Sequence, residues 1–284
     1  MDVVLAPKAL TAFIRRVEAE GGERYRDFAW RRTDDPYAIL VSEVMLQQTQ
    51  VLRVERYFES WIAQFPTIDA LAAASVSDVL EAWQGLGYNR RALMLKRASE
   101  IISEEYAGEV PTTYDELVAL PGIGPATAAG ILAFSQNLPA PYLETNVRAV
   151  VLFEIFPQDE AVGDREIKAV LVQAAQRSVE MGIEPRDWNY ALLDYGAWLK
   201  KTVPNPSRRS KHHTRQSTFE GSRRQKRAAL LRAVMTAPDQ TAATYTEMLR
   251  GDLNAEIDLV EDILNDLTEE GFLSRTEEHY RVAR

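Results

Sequence analysis

Two carboxylates in this chain have surroundings that could make them chemical groups. Glu43 lies in Leu40-Val41-Ser42-Glu43-Val44-Met45-Leu46-Gln47-Gln48-Thr49-Gln50-Val51-Leu52, a run otherwise free of charge. On a helix, Val44, Met45, Gln48 and Val51 share one side, and Glu43 and Gln47 lie one turn apart on a neighbouring side. A lone Glu is most often a solvated surface residue. In a setting this apolar, a carboxyl group tends to a raised pKa and could donate a proton near neutral pH. Glu144 is placed similarly. Pro139-Ala140-Pro141-Tyr142-Leu143 leads into it, Asn146 stands beside it, and Val147, Val150 and Val151 follow. That reads as a carboxylate at a helix N-terminus. Two carboxylates in separate, largely apolar settings suit cleavage of a bond to an anomeric carbon. One acid protonates the leaving group, and the other stabilises an oxocarbenium-like centre.

Between them lies Leu120-Pro121-Gly122-Ile123-Gly124. Upstream, Tyr114, Leu117, Val118 and Leu120 fall at helical spacing; downstream, Ala128, Ile131, Leu132 and Ser135 do the same. Pro121 stops the first helix, and the two glycines permit a backbone that side chains would forbid. The string has a plain reading as a tight helix-helix turn. It also has a chemical one: amides at the start of the second helix, aided by the helix dipole, can take an anion such as a DNA phosphate.

With these motifs in order, the chain resembles the helix-hairpin-helix DNA glycosylase superfamily, and most closely its adenine-specific mismatch glycosylases. The resemblance runs from about residue 25 to 202. It is carried by Phe28-Ala29-Trp30-Arg31, Asp35-Pro36-Tyr37, the run around Glu43, Trp83-Gln84-Gly85-Leu86-Gly87-Tyr88, the glycine hairpin and Ala191-Leu192-Leu193-Asp194-Tyr195-Gly196-Ala197. It implies an all-α, bilobal helix-hairpin-helix domain that extrudes a base from duplex DNA, at a cost of a few kcal/mol that is least for a mispaired base. By resemblance, Glu43 is the acid that protonates the departing base. Glu144 occupies the place of a second catalytic carboxylate, and Asn146 that of the asparagine orienting it. Gln47 and Gln48 are residues that enter the duplex or touch bases beside the flipped nucleotide, and Tyr88 is a wedge near the partner base. Gly122 and Gly124 supply phosphate-gripping amides, with a monovalent cation possible at the hairpin. Arg31 and Ala126 are assigned to the specificity pocket.

Three departures bear on the chemistry. Glu144 stands where the family has Asp, and the added carbon-carbon bond lengthens the side chain by about 1.5 Å. A misplacement on that scale can cost on the order of a hundredfold in rate. Either the backbone withdraws to compensate, or the site handles a different base or mechanism. Ala126 stands where bifunctional relatives carry a Schiff-base Lys and adenine-specific ones often carry Ser or Tyr. Alanine cannot attack a sugar, so a monofunctional enzyme is expected, with an open pocket floor. The family's iron-sulfur cluster needs four thiolates. The chain has no Cys, which excludes that cluster, and no other cofactor is expected.

Where the cluster loop would stand, residues 200–227 hold ten Lys/Arg and one acid, Glu220, a net of +9, so the rest of this −9 chain sums to −18. A solvated basic linker is the plain reading. The alternative is a phosphate-binding strap over 204–223 that includes Arg208, Arg209, Lys211 and Arg223, joined by Arg224, with affinity that falls steeply with salt. His212 and His213 have only His279 elsewhere and no Cys beside them, so a structural zinc site is not expected.

A length of 284 residues and 46% hydrophobic content fit one large bilobal domain, 1–203, plus a small module, 224–284. The first eight residues lack the features of a signal peptide. No stretch reaches the ~20 apolar residues that span a bilayer. A cytoplasmic, nucleoid-associated monomer is expected, with no membrane partner. Helices are read at 9–22, 36–50, 51–64, 67–73, 76–83, 88–106, 114–136 around the hairpin, 144–156, 164–181 and 186–200. Trp61, Phe65, Trp188 and Trp198 are read as core.

After the strap, helices at 224–235, 245–249 and 255–270 precede Phe272-Leu273-Ser274-Arg275 and His279-Tyr280-Arg281-Val282, which could pair as a wing. A winged-helix-like module is expected, and such modules often read DNA with their third helix. Here Glu256, Asp258, Glu261, Asp262, Asp266, Glu269 and Glu270 make that helix acidic, so a packing or protein-contact role is favoured. Adenine-specific relatives often carry a nucleotide-hydrolase-like domain that reads oxidised guanine, and about 60 residues are too few for it. The leading reading is a monofunctional DNA N-glycosylase of base excision repair acting on double-stranded DNA. Its first substrate would be adenine opposite guanine or 8-oxoguanine. A glycosylase for uracil, thymine or another damaged base, and a non-catalytic DNA-binding protein on the same scaffold, stay open.

Overall fold

The computed structural model describes residues 3–211, 218–253 and 256–283. His212, His213 and Arg215, part of the expected strap, lie outside the described residues. In chain order the helices are α1 (Pro7–Gly22), α2 (Pro36–Leu46), α3 (Val51–Gln64), α4 (Ile68–Ala73), α5 (Val76–Ala82), α6 (Arg90–Glu105) and α7 (Tyr114–Ala119). They continue with α8 (Pro125–Ser135), α9 (Thr145–Glu154), α10 (Asp164–Glu180), α11 (Pro185–Thr202), α12 (Arg223–Thr236), α13 (Ala242–Leu253) and α14 (Ile257–Glu269). Strands are confined to the C-terminal part: β1 (Gln240–Thr241), β2 (Leu273–Thr276) and β3 (His279–Val282). The mostly helical architecture is the one expected.

Local chemistry starts many of these helices. Thr67, Ser75, Thr113 and Ser222 each accept a backbone N–H through their side chains at the N-caps of α4, α5, α7 and α12. Each such cap contributes about 1 kcal/mol. Pro36 opens α2 behind an Asp35 cap that accepts from the Tyr37 amide. The helix expected over 36–50 ends early, at Leu46. Gln48 adopts φ 54°, a left-handed conformation that a continuing α-helix cannot contain. The expected facing of Gln48 and Val51 with Val44 is therefore corrected.

The chain forms two compact units, each discontinuous in sequence: Met1–Gln48 with Val110–Arg215, and Thr49–Glu109 with Gln216–Arg284. The expected division at 203 and 224 follows the chain, whereas these units follow contacts in space. In the first unit α11 packs on α9 and α1, and α2 packs on α8. Close approach requires glycine at two points. A Cβ at Gly21 would collide with the Ala191 backbone, and one at Gly196 with the Asn146 backbone. Ile14, Val17, Val150, Val151, Leu192 and Leu199 fill the space between these helices. Trp188 is buried, as expected. Trp198 is corrected: it is 36% exposed, because it lies under the Arg24 guanidinium at 4.2 Å instead of in the core.

In the second unit α4 packs on α6, and Trp61 meets Phe65 and Trp83 edge-on at 4.9 and 5.3 Å. Helices α12, α13 and α14 surround a common core with an antiparallel sheet of order β1-β3-β2, registered through Gln240–Tyr280 and Leu273–Val282. The two strands expected to pair do so, and β1 adds a third strand to the sheet. Arg223 bonds Asp262 and Asp266 at 2.9 and 2.6 Å, and Arg227 bonds Glu270 at 2.7 Å, so α12 neutralises part of the acidic α14. Among the described residues, no helix is long and apolar enough to cross a membrane.

Candidate active site

The site lies in the first unit, on α2, α8, α9 and α11. α2 is apolar on every side and is buried from Tyr37 to Met45, so Glu43 enters the interior with it and keeps only 7% exposure. Glu43 faces α8 at Gly130, where any Cβ would collide with its carboxyl group. The Tyr142 hydroxyl donates a hydrogen bond to it. Burial pushes the Glu43 carboxyl up to about 8, with the nearby Glu144 charge adding and the Tyr142 bond opposing. Glu43 therefore holds its proton at neutral pH. Tyr142 is itself pushed well above its ordinary value, first by burial and then by the charges of Glu43 and Glu144, so it remains a donor.

Glu144 is the N-cap residue of α9. Its Oε1 accepts from the Asn146 amide at 2.7 Å and the Val147 amide at 3.2 Å. Glutamate is not among the preferred N-cap residues, yet its longer side chain reaches both amides. The pKa of Glu144 is raised by burial, against the two amides and the Lys200 charge, which pull it down. Lys200, four residues after Gly196 on one face of α11, donates to Asn146 Oδ1 at 3.1 Å. Gly196 lets α11 approach the α9 N-terminus closely enough for that bond.

On α8, Ala126, Gly130 and Phe134 recur every four residues and so share a face. Two small residues precede an aromatic one, and the Glu43 carboxyl and the Tyr142 ring fill the space beside Gly130. Phe134 meets Tyr142 edge-on at 5.3 Å and stacks on Tyr190 at 4.5 Å. Arg31 lies over the Tyr190 ring at 4.3 Å and sends both terminal nitrogens to Asp194, at 2.7 and 2.9 Å. Asp194 also accepts from Arg26, through the amide at 3.1 Å and Nε at 2.5 Å. The terminal nitrogens of Arg31, expected in the specificity pocket, are engaged in this buried ion pair.

At the hairpin, Gly122 has φ 77°, which selects glycine. Gly124 has neither a positive φ nor a neighbour that a Cβ would touch, so its bareness keeps open space beside the first turn of α8. Gln47 Nε2 bonds Gly122 O at 3.2 Å and Thr127 Oγ1 at 3.0 Å, which ties the end of α2 to the hairpin. Gln48 and Tyr88 share a left-handed backbone, at φ 54° and 50°. In the second unit, the Tyr88 hydroxyl accepts from Arg224 at 2.7 Å.

The basic residues separate into groups. Arg209 is corrected from phosphate contact to structure: its guanidinium bonds the carbonyls of Leu152, Phe156, Pro157 and Asp159 at 2.6–3.1 Å. It thereby closes the C-terminal end of α9. Both terminal nitrogens of Arg223 meet acids of α14. Arg208 and Lys211 are exposed. Ser207 and Ser210 are buried, and the Lys211 amide bonds Val162 O, so this part of the strap is packed against the protein.

The sequence reading missed Tyr142, Gly130, Lys200, Tyr190 and the Asp194 ion pair. Gly130 carried a signal, a helix-weakening residue inside a helical pattern. Lys200 was absorbed into the charge run. Among the described residues, no group of three or more His, Asp or Glu side chains is arranged to hold a metal ion.

Comparison with known proteins places this geometry in context. Residues 41–171 match the family model described as HhH-GPD superfamily base excision DNA repair protein. An adenine DNA glycosylase of Mycolicibacterium smegmatis is 47% identical over 127 residues, covering 44% of this chain and 43% of that protein. The adenine DNA glycosylase of Homo sapiens is 33% identical over 212 residues, covering 70% of this chain and 37% of that protein. The chain thus spans less than half the length of these relatives. Among solved structures, a thermostable thymine-DNA glycosylase superposes with a TM-score of 0.60 at 25% identity, covering 72% of this chain and 91% of that one.

Proposed function

We propose that this chain, whose residues 41–171 belong to the HhH-GPD superfamily of base excision DNA repair proteins, is a monofunctional DNA N-glycosylase. Its first substrate in this reading is adenine opposite guanine or 8-oxoguanine in double-stranded DNA. The observation that carries it is the buried Glu43, which keeps a proton up to about pH 8 in contact with Tyr142. Glu43 gives that proton to a ring nitrogen of the extruded base as the bond to the anomeric carbon breaks. The oxocarbenium-like sugar is stabilised by the Glu144 carboxylate, which Asn146, Val147 and Lys200 hold in place. Water then adds to the anomeric carbon and loses a proton to that carboxylate, leaving an abasic site and the free base.

Several features support the monofunctional reading. Position 126 carries no amine, and the amine of Lys200 is engaged with Asn146. Gly122, Gly124 and the exposed Arg208 and Lys211 form the phosphate contacts of this reading. The hairpin is the place for any monovalent cation. The acidic α14, already paired with α12, fits a winged-helix-like packing or protein-contact module better than one that reads DNA.

The small side chain of Ala126 favours a second reading, in which another base is released. The test is base release from duplexes carrying A·G, A·8-oxoguanine, T·G, U·G and hypoxanthine, scored as alkali-labile sites, with borohydride added in parallel. Adenine release with no borohydride-trapped adduct is expected. Release of a different base alone selects the second reading. A trapped adduct overturns the monofunctional assignment, and no release from any duplex overturns the glycosylase.

A further inference from the structure

Tyr88 carries two features of a contact surface. Its side chain is 37% exposed, and its backbone has φ 50°, a left-handed conformation that bulky residues rarely adopt. Strain of this kind persists where the surrounding structure enforces it, most often at sites of function. Here the enforcing contacts are specific. Arg91 Nη2 bonds Gly87 O and Thr49 Oγ1, each at 2.9 Å, and the Arg91 guanidinium lies over the Trp83 ring at 5.2 Å. Trp83 Nε1 donates to the same Gly87 carbonyl at 3.0 Å. Two donors therefore fix the residue that precedes Tyr88.

A further cation arrives from the C-terminal module within the same unit. Arg223 and Arg227 stand one turn apart on α12 and bond the acids of α14. Arg224, on another side of that helix, sends Nη1 to the Tyr88 hydroxyl at 2.7 Å. Its guanidinium lies 5.7 Å from the centre of the Tyr88 ring, and that of Arg91 lies 5.6 Å from it. Gln84 Nε2 meets Met235 Sδ at 3.8 Å, a second contact between this loop and α12. Burial pulls Arg91 down to about 10, so that cation is short of water and gains from a nearby anion. The plain reading is a joint that docks the module. A joint alone would bury the ring, whereas this one leaves part of it open to solvent. An exposed π-face with guanidiniums beside it matches a nucleobase and its phosphate, which stack and pair with the two kinds of group.

We propose that Tyr88 and Arg224 form one DNA contact shared by the glycosylase fold and the C-terminal module. The ring stacks on a base of the duplex, and Arg224 both holds the ring and takes the adjacent phosphate. A guanidinium carries five N–H donors, enough for a phenol oxygen and a phosphate together. The module thereby binds the duplex through α12, not through its acidic α14. This rests on the glycosylase reading above for the identity of the ligand.

The test is a double-mutant cycle in the full chain. Arg224→Met keeps the length of the side chain and removes its charge, and Tyr88→Phe keeps the ring and removes the hydroxyl. Arg224→Lys is the companion that retains the charge. Affinity for a duplex bearing an abasic-site analogue opposite guanine is measured across a range of salt concentrations, beside the thermal midpoint. Arg224→Met is expected to weaken binding about tenfold and to lower the slope of log affinity against log salt by about 1. Arg224→Lys should restore the slope, and Tyr88→Phe should leave it unchanged. Arg224→Met should cost less in the Tyr88→Phe background, because part of its effect passes through the hydroxyl. Unchanged affinity and slope in Arg224→Met overturn the proposal. So do strictly additive losses, or a lowered midpoint with the slope intact, which reduces Arg224 to a docking contact. If binding depends on the pair as expected but the wild type releases no base from any duplex, the glycosylase reading fails and the contact stands.

Discussion

Gly130 and Glu43 occupy one another's space: the backbone of α8 passes so close to the carboxyl group that only hydrogen fits between them. In most helix interiors Gly→Ala stabilises by up to about 1 kcal/mol. Here that gain is opposed by a collision with both Glu43 and the Tyr142 ring. Gly130→Ala is expected to lower base release at least tenfold while moving the thermal midpoint little or downward. A stabilised variant with full activity would show that α2 and α8 can separate without displacing the acid.

The pH dependence follows from Glu43. Its folded pKa of about 8 lies above its ordinary value of 4.5, so the folded state binds an extra proton between those limits. The stability contribution of that proton is complete below about pH 4.5 and is lost as pH rises through about 8. Base release should fall on the same alkaline limb, because the acid form is the reactive one. Glu43→Gln should abolish release, spare DNA binding, and flatten the fall of thermal midpoint between about pH 5 and pH 8.5. A variant whose midpoint falls with pH as steeply as the wild type would assign the slope to other groups.

Lys200 is expected to act on Glu144 through charge and through Asn146. Removing the cation in Lys200→Met lets burial raise the Glu144 pKa further, since Lys200 is one of the influences holding it down. The acidic limb of the release-rate profile should move to higher pH, with a drop of about tenfold at neutral pH. A profile unchanged in shape would leave Lys200 a structural contact only.

Asp194 takes four hydrogen bonds from Arg26 and Arg31, with the Asp194 and Arg31 side chains almost fully buried. Asp194→Asn should cost about 3–5 kcal/mol, because it leaves Arg31 charged and uncompensated. Urea unfolding reads this directly, and a companion Arg31→Met change should recover part of the loss.

The basic residues should separate by experiment as they do in structure. Arg209→Ala is expected to cost about 2 kcal/mol, through orphaned carbonyls at the end of α9, with little change in the salt dependence of DNA affinity. Arg208→Ala with Lys211→Ala should spare stability and reduce the slope of log affinity against log salt by about 2. The opposite pattern would return Arg209 to the phosphate contacts.

The sequence by itself carried the helices, the hairpin, and Glu43, Glu144 and Asn146 as candidates. Helical spacing, Pro and Gly stops and an uncharged run around a carboxylate are local signals, and local signals survive in one dimension. The absence of Cys, likewise, is a property of composition and is legible without a fold. What one dimension could not show is which long side chains meet. Arg209 and Arg208 are adjacent and identical in type, yet one is consumed by carbonyls 50–57 residues earlier in the chain and the other is exposed. Lys200 reaches Asn146 across 54 residues because Gly196 permits the approach. The buried Tyr190 hydroxyl has no partner among the described residues, which no feature of the sequence announces. Charge and apolarity are properties of residues, but satisfaction of a hydrogen bond is a property of pairs, and tertiary packing decides the pairs.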